Sequence, residues 1–227
     1  KSLYNLASCR SKNEEVKGAL PLIEECIKED EASGLLKMEH KYFALGKIHY
    51  QLGNLDQTLH ALDMAAQFTN AKDGDYVFEL KARVFLQKKE FQTGLDTVRI
   101  IPGKARRPYV HWTEADLLLG LGQVDKAKEV LHRSAERDRR SQHRALVRLA
   151  KIEFWLKNHA QAKDLALKAD TFHREAFTTP DADGLFWAAA ACIRLGQMEE
   201  ASRLADELEA CRPGYPYLSK LRRLCKV

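Results

Sequence analysis

Long apolar runs are absent from this sequence, and no stretch approaches the roughly eighteen consecutive apolar residues that a membrane-spanning helix needs. The N-terminus, which begins Lys1-Ser2-Leu3-Tyr4, has neither a signal-peptide core nor an initiator Met. We therefore expect a cytoplasmic protein without membrane insertion. We also expect the chain to be an excised or processed piece of something longer.

Proline and glycine are scarce, with 6 and 12 residues among 227, and no low-complexity segment is present. Hydrophobic residues make up 45% of the chain, which is enough to bury a large core, and charged residues make up 30%. This composition predicts an ordered, helix-rich chain rather than a disordered one. The net charge of +5 is too small to indicate nucleic-acid binding by itself.

Cysteine is present in an odd number and without any C-x-x-C pair, which favours free thiols over disulfides. Most of the five cysteines fall among apolar helical residues. We expect buried free thiols in a reducing compartment. The five are Cys9, Cys26, Cys192, Cys211 and Cys225.

Motifs of catalysis and of metal or phosphate binding are also missing: there is no G-x-G-x-x-G, G-x-x-x-x-G-K-[ST], H-E-x-x-H or G-x-S-x-G. His132 and His143 are separated by a charged segment and a probable turn, so they do not predict a metal site. The pairs Glu24-Glu25 and Glu199-Glu200 are adjacent in sequence and point apart on a helix. We expect no enzymatic activity, no cofactor and no metal.

The sequence instead contains pairs of helical segments joined by a short turn, most clearly over residues 42–70 and again over 185–213. In each window two runs with helical periodicity flank a glycine-containing turn, Leu52-Gly53-Asn54-Leu55 and Leu195-Gly196-Gln197-Met198. Glycine ends a helix easily because it adopts left-handed torsions without a Cβ penalty. Pro213 closes the second window.

Sliding this frame along the chain finds six units, each with one small residue per helix at a constant separation of twelve. Eleven of the twelve small residues are Ala or Gly, although these types account for only 40 of 227 residues. Two antiparallel helices come closest where no bulky side chain intervenes. The pairs are Ala7 and Ala19, Gly46 and Thr58, Ala82 and Gly94, Ala115 and Ala127, Ala150 and Ala162, and Ala189 and Ala201.

Apolar residues recur at two further positions of the second helix. The first position lies near the turn and holds Val16, Leu55, Phe91, Val124, His159 and Met198, so the fifth unit departs from the pattern. The second position is predicted to be core and holds Ile23, Leu62, Val98, Leu131, Ala166 and Ala205.

This pattern resembles the tetratricopeptide repeat family. The second unit matches best, through Tyr42, Leu45-Gly46, Gly53, Leu55, Leu62 and Ala65. Lys89 replaces the usual glycine in the third unit, and His111 lies near the aromatic position of the fourth, so the repeats are divergent. The resemblance implies an all-α, right-handed superhelical α-solenoid of about six antiparallel helix pairs plus a C-terminal capping helix.

The predicted domain organisation is a single repeat domain over residues 1–227. Its units lie near 1–33, 39–72, 75–108, 108–141, 143–176 and 182–214, and a cap follows at 215–226. Longer intervals between units predict extended helices or loops near residues 30–38, 70–75 and 174–183. In the cap, Leu218, Leu221, Leu224 and Cys225 are expected to face the sixth unit, because a repeat array needs a polar-backed end.

The resemblance further implies that the first helices of successive units line a concave groove. Nine of the thirty positions that would point inward are aromatic, whereas between two and three are expected from the 19 aromatics in the chain. We predict a peptide-binding groove centred on units two to five, whose residues are Phe43, Lys47, Tyr50, Tyr76, Arg83, Tyr109, Trp112, Lys151, Phe154, Trp155, Phe186 and Arg194. Core packing of about half of the aromatics is the alternative.

An aromatic and basic groove favours an acidic protein or peptide partner with apolar anchors. One subgroup of the family clamps the C-terminal carboxylate of chaperones with a Lys and an Asn in the first unit. The corresponding residues here are Tyr4 and Ser8, so we do not expect that clamp.

Two basic clusters lie at predicted turns: Lys104, Arg106 and Arg107, and then Arg133, Arg137, Arg139, Arg140, His143 and Arg144. Such density could contact phosphates, but Glu136 and Asp138 interrupt the second cluster and no aromatic residues interleave with it. We favour solvated turns over a nucleic-acid site.

The leading functional hypothesis is a scaffold or adaptor that binds a partner segment. The alternatives are a regulatory or sensor repeat domain of a larger protein, in a transcriptional or secretion-related setting, and a structural subunit that self-associates into a homo-oligomer.

Overall fold

The computed structural model describes residues 2–13, 15–33 and 37–225, and in these ranges the regular secondary structure consists of α-helices joined by turns and short connections. The predicted all-α class is confirmed. Thirteen helices lie in these ranges: α1 (Ser2–Lys12), α2 (Val16–Ala32), α3 (Met38–Gln51), α4 (Leu55–Gln67), α5 (Asp75–Gln87), α6 (Phe91–Arg99), α7 (Pro108–Gly120), α8 (Val124–Arg137), α9 (Gln142–Trp155), α10 (His159–Phe177), α11 (Ala182–Arg194), α12 (Met198–Cys211) and α13 (Leu218–Cys225).

The chain divides into two compact bodies, Lys1–Gln123 and Val124–Val227. In the first body, α1/α2, α3/α4 and α5/α6 form helix pairs, and α7 packs on α5 and α6. In the second body, α8 packs on α9, the pairs α9/α10 and α11/α12 follow, and α13 packs on α11 and α12. The division falls in the turn between α7 and α8, inside the predicted unit 108–141. That the whole chain is one repeat domain stays a prediction.

The twelve small residues are all buried, as predicted from their spacing. In the pair α3/α4, a Cβ atom added to Gly46 would lie 3.1 Å from Leu62 Cδ2 and 3.5 Å from the Thr58 carbonyl oxygen. In the pair α5/α6, a Cβ atom added to Gly94 would lie 3.2 Å from the Ala82 carbonyl oxygen. The small residues therefore mark the points where paired helices approach most closely. The predicted core position is also confirmed, because all six of its residues are fully buried.

The turns within units two to six share one backbone geometry, although their sequences differ. Gly53, Gly122 and Gly196 have φ values of 79°, 73° and 75°, and Lys89 and Lys157 have φ values of 61° and 65° at the equivalent positions. In each turn the next residue donates its backbone N–H to a carbonyl five residues earlier, as Asn54 does to His49 at 2.9 Å. This bond satisfies a carbonyl at the helix end. A non-glycine residue adopts the left-handed region at a cost of about 1 kcal/mol.

Two of the three predicted long intervals are observed: α10 extends to Phe177, and the connection between α4 and α5 runs from Phe68 to Gly74. Part of the first interval, residues 34–36, lies outside the described residues, as does Lys226 of the predicted cap.

The cap helix α13 buries Leu218 and Leu221 against the α11/α12 pair. Leu224 is 46% exposed, which corrects the expectation that it faces the sixth unit. The reason is helical geometry: Leu218, Leu221 and Cys225 share a face at three- and four-residue spacing, whereas Leu224 lies at its margin.

All five cysteines are free thiols, but only Cys26 and Cys192 are buried. Cys9 and Cys211 are exposed and Cys225 is partly buried, so the expectation of burial is wrong for these three. Cys9 and Cys211 lie in the last turns of their helices, where the chain has fewer neighbours. None of the described helices combines the length and the apolar composition that a membrane crossing requires.

Candidate functional site

The first helices of successive pairs lie side by side within each body, and this arrangement forms the candidate surfaces. In the first body α1 contacts α3, α3 contacts α5, and α5 contacts α7; in the second, α9 contacts α11 and α11 contacts α13. Residues at equivalent positions on these helices therefore line a common surface. We call the surface formed by α3, α5 and α7 the first face, and the surface formed by α9 and α11 the second face.

Tyr76 lies at the centre of the first face and connects α5 to α3. Its ring meets Phe43 edge-to-face at a centroid distance of 4.6 Å. The ring also stacks with His40 at 5.9 Å, and the Tyr76 hydroxyl lies 3.0 Å from His40 Nδ1. Burial raises the pKa of the Tyr76 hydroxyl above its ordinary value. Phe43 and Tyr76 are both half-buried and offer part of their rings to solvent.

Tyr50 forms a second link between α3 and α5. The Arg83 guanidinium lies over its ring, with Cζ 5.0 Å from the centroid, and Gln87 Nε2 donates a hydrogen bond of 2.8 Å to its hydroxyl. Both Lys47 and Arg83 are exposed. Arg83 Nε is 3.9 Å from Glu79 Oε1, which is a long ion pair, so the guanidinium retains much of its positive field toward solvent.

Tyr109 on α7 is held by a buried carboxylate rather than presented freely. Its hydroxyl donates a 2.7 Å hydrogen bond to Asp75 Oδ2, and Arg107 Nε lies 3.7 Å from the same oxygen. Burial, followed by the interaction with Asp75, raises the pKa of Tyr109. In the same layer Thr113 Oγ1 donates a 2.5 Å hydrogen bond to Glu79 Oε1. These bonds between α5 and α7 fix the spacing of the two helices.

Trp112 is only 8% exposed, and it belongs to the core rather than to the first face. The middle of α7 is buried around most of its circumference, because Val110, Thr113, Ala115 and Leu117 are buried as well. Covering a large indole removes much apolar area from water, which stabilises the fold but leaves little for a partner.

The second face carries a row of aromatic rings. Trp155, on α9, is 68% exposed and meets Phe154 edge-to-face at 6.2 Å. Phe154 contacts Trp187 at 5.4 Å, Trp187 contacts Phe186 at 5.4 Å, and Phe186 contacts Tyr215 at 5.2 Å. The rings thus form a continuous series from the end of α9, across α11, to the segment before α13.

Charged groups border this row. Lys151 on α9 and Arg194 on α11 are exposed. Tyr215 donates a 2.6 Å hydrogen bond to Asp183 Oδ1, and the Arg212 guanidinium lies 5.6 Å from the Tyr215 ring centroid. Burial, followed by the bond to Asp183, raises the pKa of Tyr215.

Sequence reasoning missed four residues that contact the rings of these faces, namely His40, Gln87, Trp187 and Tyr215. His40 could have been found, because it lies six residues before the small residue of its unit, as Tyr76 and Tyr109 do. Tyr215 could not, because it precedes the cap helix and lies outside the repeat frame.

In the first basic cluster, Arg106 has a structural role. Arg106 donates a 3.0 Å hydrogen bond to the Ile101 carbonyl oxygen and another of 3.0 Å to Glu114. Burial alone raises the pKa of Glu114, but His111 and Arg106 outweigh it and hold that pKa below its usual value. Within the described ranges, no group of three or more His, Cys, Asp or Glu side chains is placed to hold a metal ion.

Comparison with known proteins shows the fold. No family model matches the chain, and no curated protein matches it. Among solved structures, PilW, a widely conserved type IV pilus biogenesis factor, superposes with a TM-score of 0.72 at 16% identity, covering 97% of this chain and 96% of PilW. A tetratricopeptide repeat protein from Parabacteroides merdae gives a TM-score of 0.74 at 14% identity, covering 99% and 83%.

The apo form of the quorum sensor NprR from B. thuringiensis gives a TM-score of 0.68 at 12% identity, covering 99% of this chain and 68% of NprR. The helix pairs of this chain therefore have the tetratricopeptide-type fold that the spacing of small residues predicted.

Proposed function

We propose that this chain is a protein-interaction scaffold that binds segments of partner proteins on the first and second faces. The observation that carries the proposal is the aromatic row of the second face, which ends in the mostly exposed Trp155 and otherwise consists of half-buried rings. Lys151 and Arg194 lie beside it. A large aromatic ring left mostly in water gains free energy when a partner covers it, and Trp is enriched among the residues that dominate binding energy.

The chemistry of the two faces favours a segment with apolar anchors and acidic residues. The half-buried rings of Phe43, Tyr76 and Phe186 give apolar contact area at a small cost in conformational entropy, because aromatic side chains have few rotatable bonds. Lys47, Arg83, Lys151 and Arg194 would attract carboxylates and raise the association rate. A cytoplasmic location is part of the proposal, and the five free thiols support it.

The test uses peptides selected from a displayed random library on the immobilised chain and then measured by fluorescence anisotropy. We expect selected peptides to be rich in Leu, Ile or Phe together with Asp or Glu. Trp155→Ala should weaken their binding by about thirtyfold, which corresponds to about 2 kcal/mol. The thermal midpoint should stay nearly unchanged, because Trp155 is mostly exposed. Phe43→Ala should lower the affinity of peptides that bind the first face.

The matched control is Tyr217→Ala, which removes an aromatic side chain that is 71% exposed and lies outside both faces. It should leave peptide affinity within about twofold of the original. Selected peptides that bind Trp155→Ala as tightly as the original chain would refute the proposal for the second face. Light scattering on the same samples would reveal self-association, which is the competing role.

A further inference from the structure

The positive charge of this protein is concentrated in one short segment. Residues 1–123 contain seventeen Lys and Arg and seventeen Asp and Glu, and residues 152–227 contain eleven of each. The entire net charge of +5 therefore arises between residues 124 and 151, which contain nine basic and four acidic residues. This segment comprises α8 and most of α9 in the second body.

The arginines of this segment cluster where α8 ends and its turn begins. Arg133 and Arg137 lie one helical turn apart on α8, and Arg139 and Arg140 follow before α9 starts. All four are exposed. We call these four residues the arginine surface. The C-terminus of a helix carries partial negative charge, which stabilises the positive charges of arginines at the end of α8.

Three of these four arginines lack a carboxylate partner within the described ranges, unlike Arg174 and Arg222 of the same body. Arg174 is paired with Asp170 and Glu207, and Arg222 is paired with Asp206 and Glu209. In contrast, no carboxylate oxygen of the described ranges lies within 4.0 Å of Arg137, Arg139 or Arg140. Arg133 has only a long contact of 3.7 Å with Glu129, and both side chains are more than half exposed.

One of the acidic residues inside the cluster, Asp138, is engaged by hydrogen bonds from the turn. Asp138 accepts hydrogen bonds from the Ser141 hydroxyl and, at 3.1 Å, from the Arg140 backbone N–H. These bonds shape the turn and orient the Asp138 carboxylate toward the backbone. In the described ranges Asp138 makes no ion pair within 4.0 Å with these guanidinium groups, and the four arginines outnumber the acidic residues Glu129, Glu136 and Asp138.

Arg140 is also held in place by an aromatic ring. Its guanidinium carbon lies 5.9 Å from the centroid of Phe177, and Phe177 is itself fixed between His143 at 5.6 Å and His173 at 4.8 Å. A guanidinium stacked on a ring keeps its N–H donors free at the edge, where they can bind a carboxylate with two parallel hydrogen bonds.

From this arrangement we propose that the arginine surface binds an acidic segment, rich in Asp and Glu, of a protein partner. It lies outside the first and second faces and constitutes a separate interaction surface. Glu129, Glu136 and Asp138 alternate with the arginines, so a continuous phosphate backbone would meet repulsion along its length. Carboxylates on a peptide can be spaced to match the arginines. Among the described residues, Phe177 is the one ring that lies near a guanidinium of the arginine surface, which disfavours a nucleic-acid site that needs several stacked bases.

The test measures anisotropy of a short fluorescein-labelled peptide in which Glu alternates with Ser, with oligothymidylate of equal length as the alternative ligand. The variant carries Arg137→Glu, Arg139→Glu and Arg140→Glu. The control carries Arg203→Glu, Lys220→Glu and Arg223→Glu, which makes the same charge change at exposed positions of the same body. Circular dichroism checks that both variants keep their helical content.

We expect the original chain to bind the peptide at low salt and to lose most of this binding at about 0.3 M salt, because exposed ion pairs are screened. The arginine variant should bind at least about tenfold more weakly, while the control stays within about threefold. Trp155→Ala should bind this probe normally, which separates the two proposals. Absence of peptide binding at low salt, equal loss in both triple variants, or tighter binding of oligothymidylate would each overturn the inference.

Discussion

His143 is a titratable side chain buried at the start of α9. It is 6% exposed, and its ring meets His173 edge-to-face at a centroid distance of 4.7 Å. Burial lowers the pKa of His143 to about 4, and the positive charges of His173 and Arg144 act in the same direction. In the unfolded chain the same group titrates near its ordinary value of about 6.5.

This difference makes stability depend on pH, because below about pH 6.5 the unfolded state takes up a proton that the folded state refuses until about pH 4. The stability that neutral His143 contributes is therefore lost as pH falls through this window. Between about pH 7 and pH 5, the free energy of unfolding of His143→Gln should therefore fall by about 2 kcal/mol less than that of the original chain, as measured by urea unfolding.

The control for this experiment is His132→Gln, at an exposed histidine of α8. Its stability should fall with pH in parallel with the original chain. If the His143 and His132 variants have the same pH dependence, burial of His143 does not control the acid sensitivity.

At the scale of the helix pair, small residues allow the two backbones to approach closely. Gly184, in the first turn of α11, packs against α10. A Cβ atom there would lie 2.9 Å from the Ala166 carbonyl oxygen and 3.3 Å from the Asp170 backbone nitrogen. Both atoms belong to the backbone, so a clash cannot be relieved by rotating a side chain.

Two effects oppose each other in Gly184→Ala. Alanine in a helix is favoured over glycine by about 1 kcal/mol, whereas overpacking costs about 1–3 kcal/mol. Because the obstacle is backbone, we expect packing to win and the variant to lose about 1 kcal/mol in denaturant unfolding. In the control Gly103→Ala, the added Cβ atom meets nothing within 4 Å, so no loss is expected. A stabilised Gly184→Ala variant would show that α10 and α11 can separate at little cost.

At the scale of the whole molecule, stability is expected to be local, because each helix contacts mainly its neighbours in sequence. The chain forms two compact bodies, and each has its own buried residues, such as Leu62 in the first and Leu204 in the second. Truncating either leucine to alanine should cost about 2–5 kcal/mol.

Hydrogen exchange can test this locality. In Leu204→Ala we expect amides of α11 to α13 to lose protection, while those of α3 to α5 keep it, and Leu62→Ala should give the reverse pattern. Equal loss of protection throughout the chain in both variants would mean that the two bodies unfold as one cooperative unit.

The sequence by itself determined the helix pairs. The small residues Ala82 and Gly94 identify a crossing because close packing is a requirement of the pair itself, and the residues that meet it recur in every unit. The sequence also predicts where the turns lie. Lys89 and Lys157 adopt at these turns the same left-handed backbone conformation as Gly53. The five-residue hydrogen bond of the turn fixes that geometry whichever residue occupies it.

Only the tertiary structure decided which inward positions are surface. Trp112 and Trp155 both occupy predicted groove positions, yet one is buried and the other is mostly exposed. Exposure depends on residues of neighbouring units, about 35 positions away in sequence, and periodicity within one unit does not encode them. The contacts of the arginines have the same origin. Arg83 lies over the Tyr50 ring and Arg106 binds Glu114, whereas no carboxylate oxygen of the described ranges lies within 4.0 Å of Arg139, and composition alone could not distinguish them.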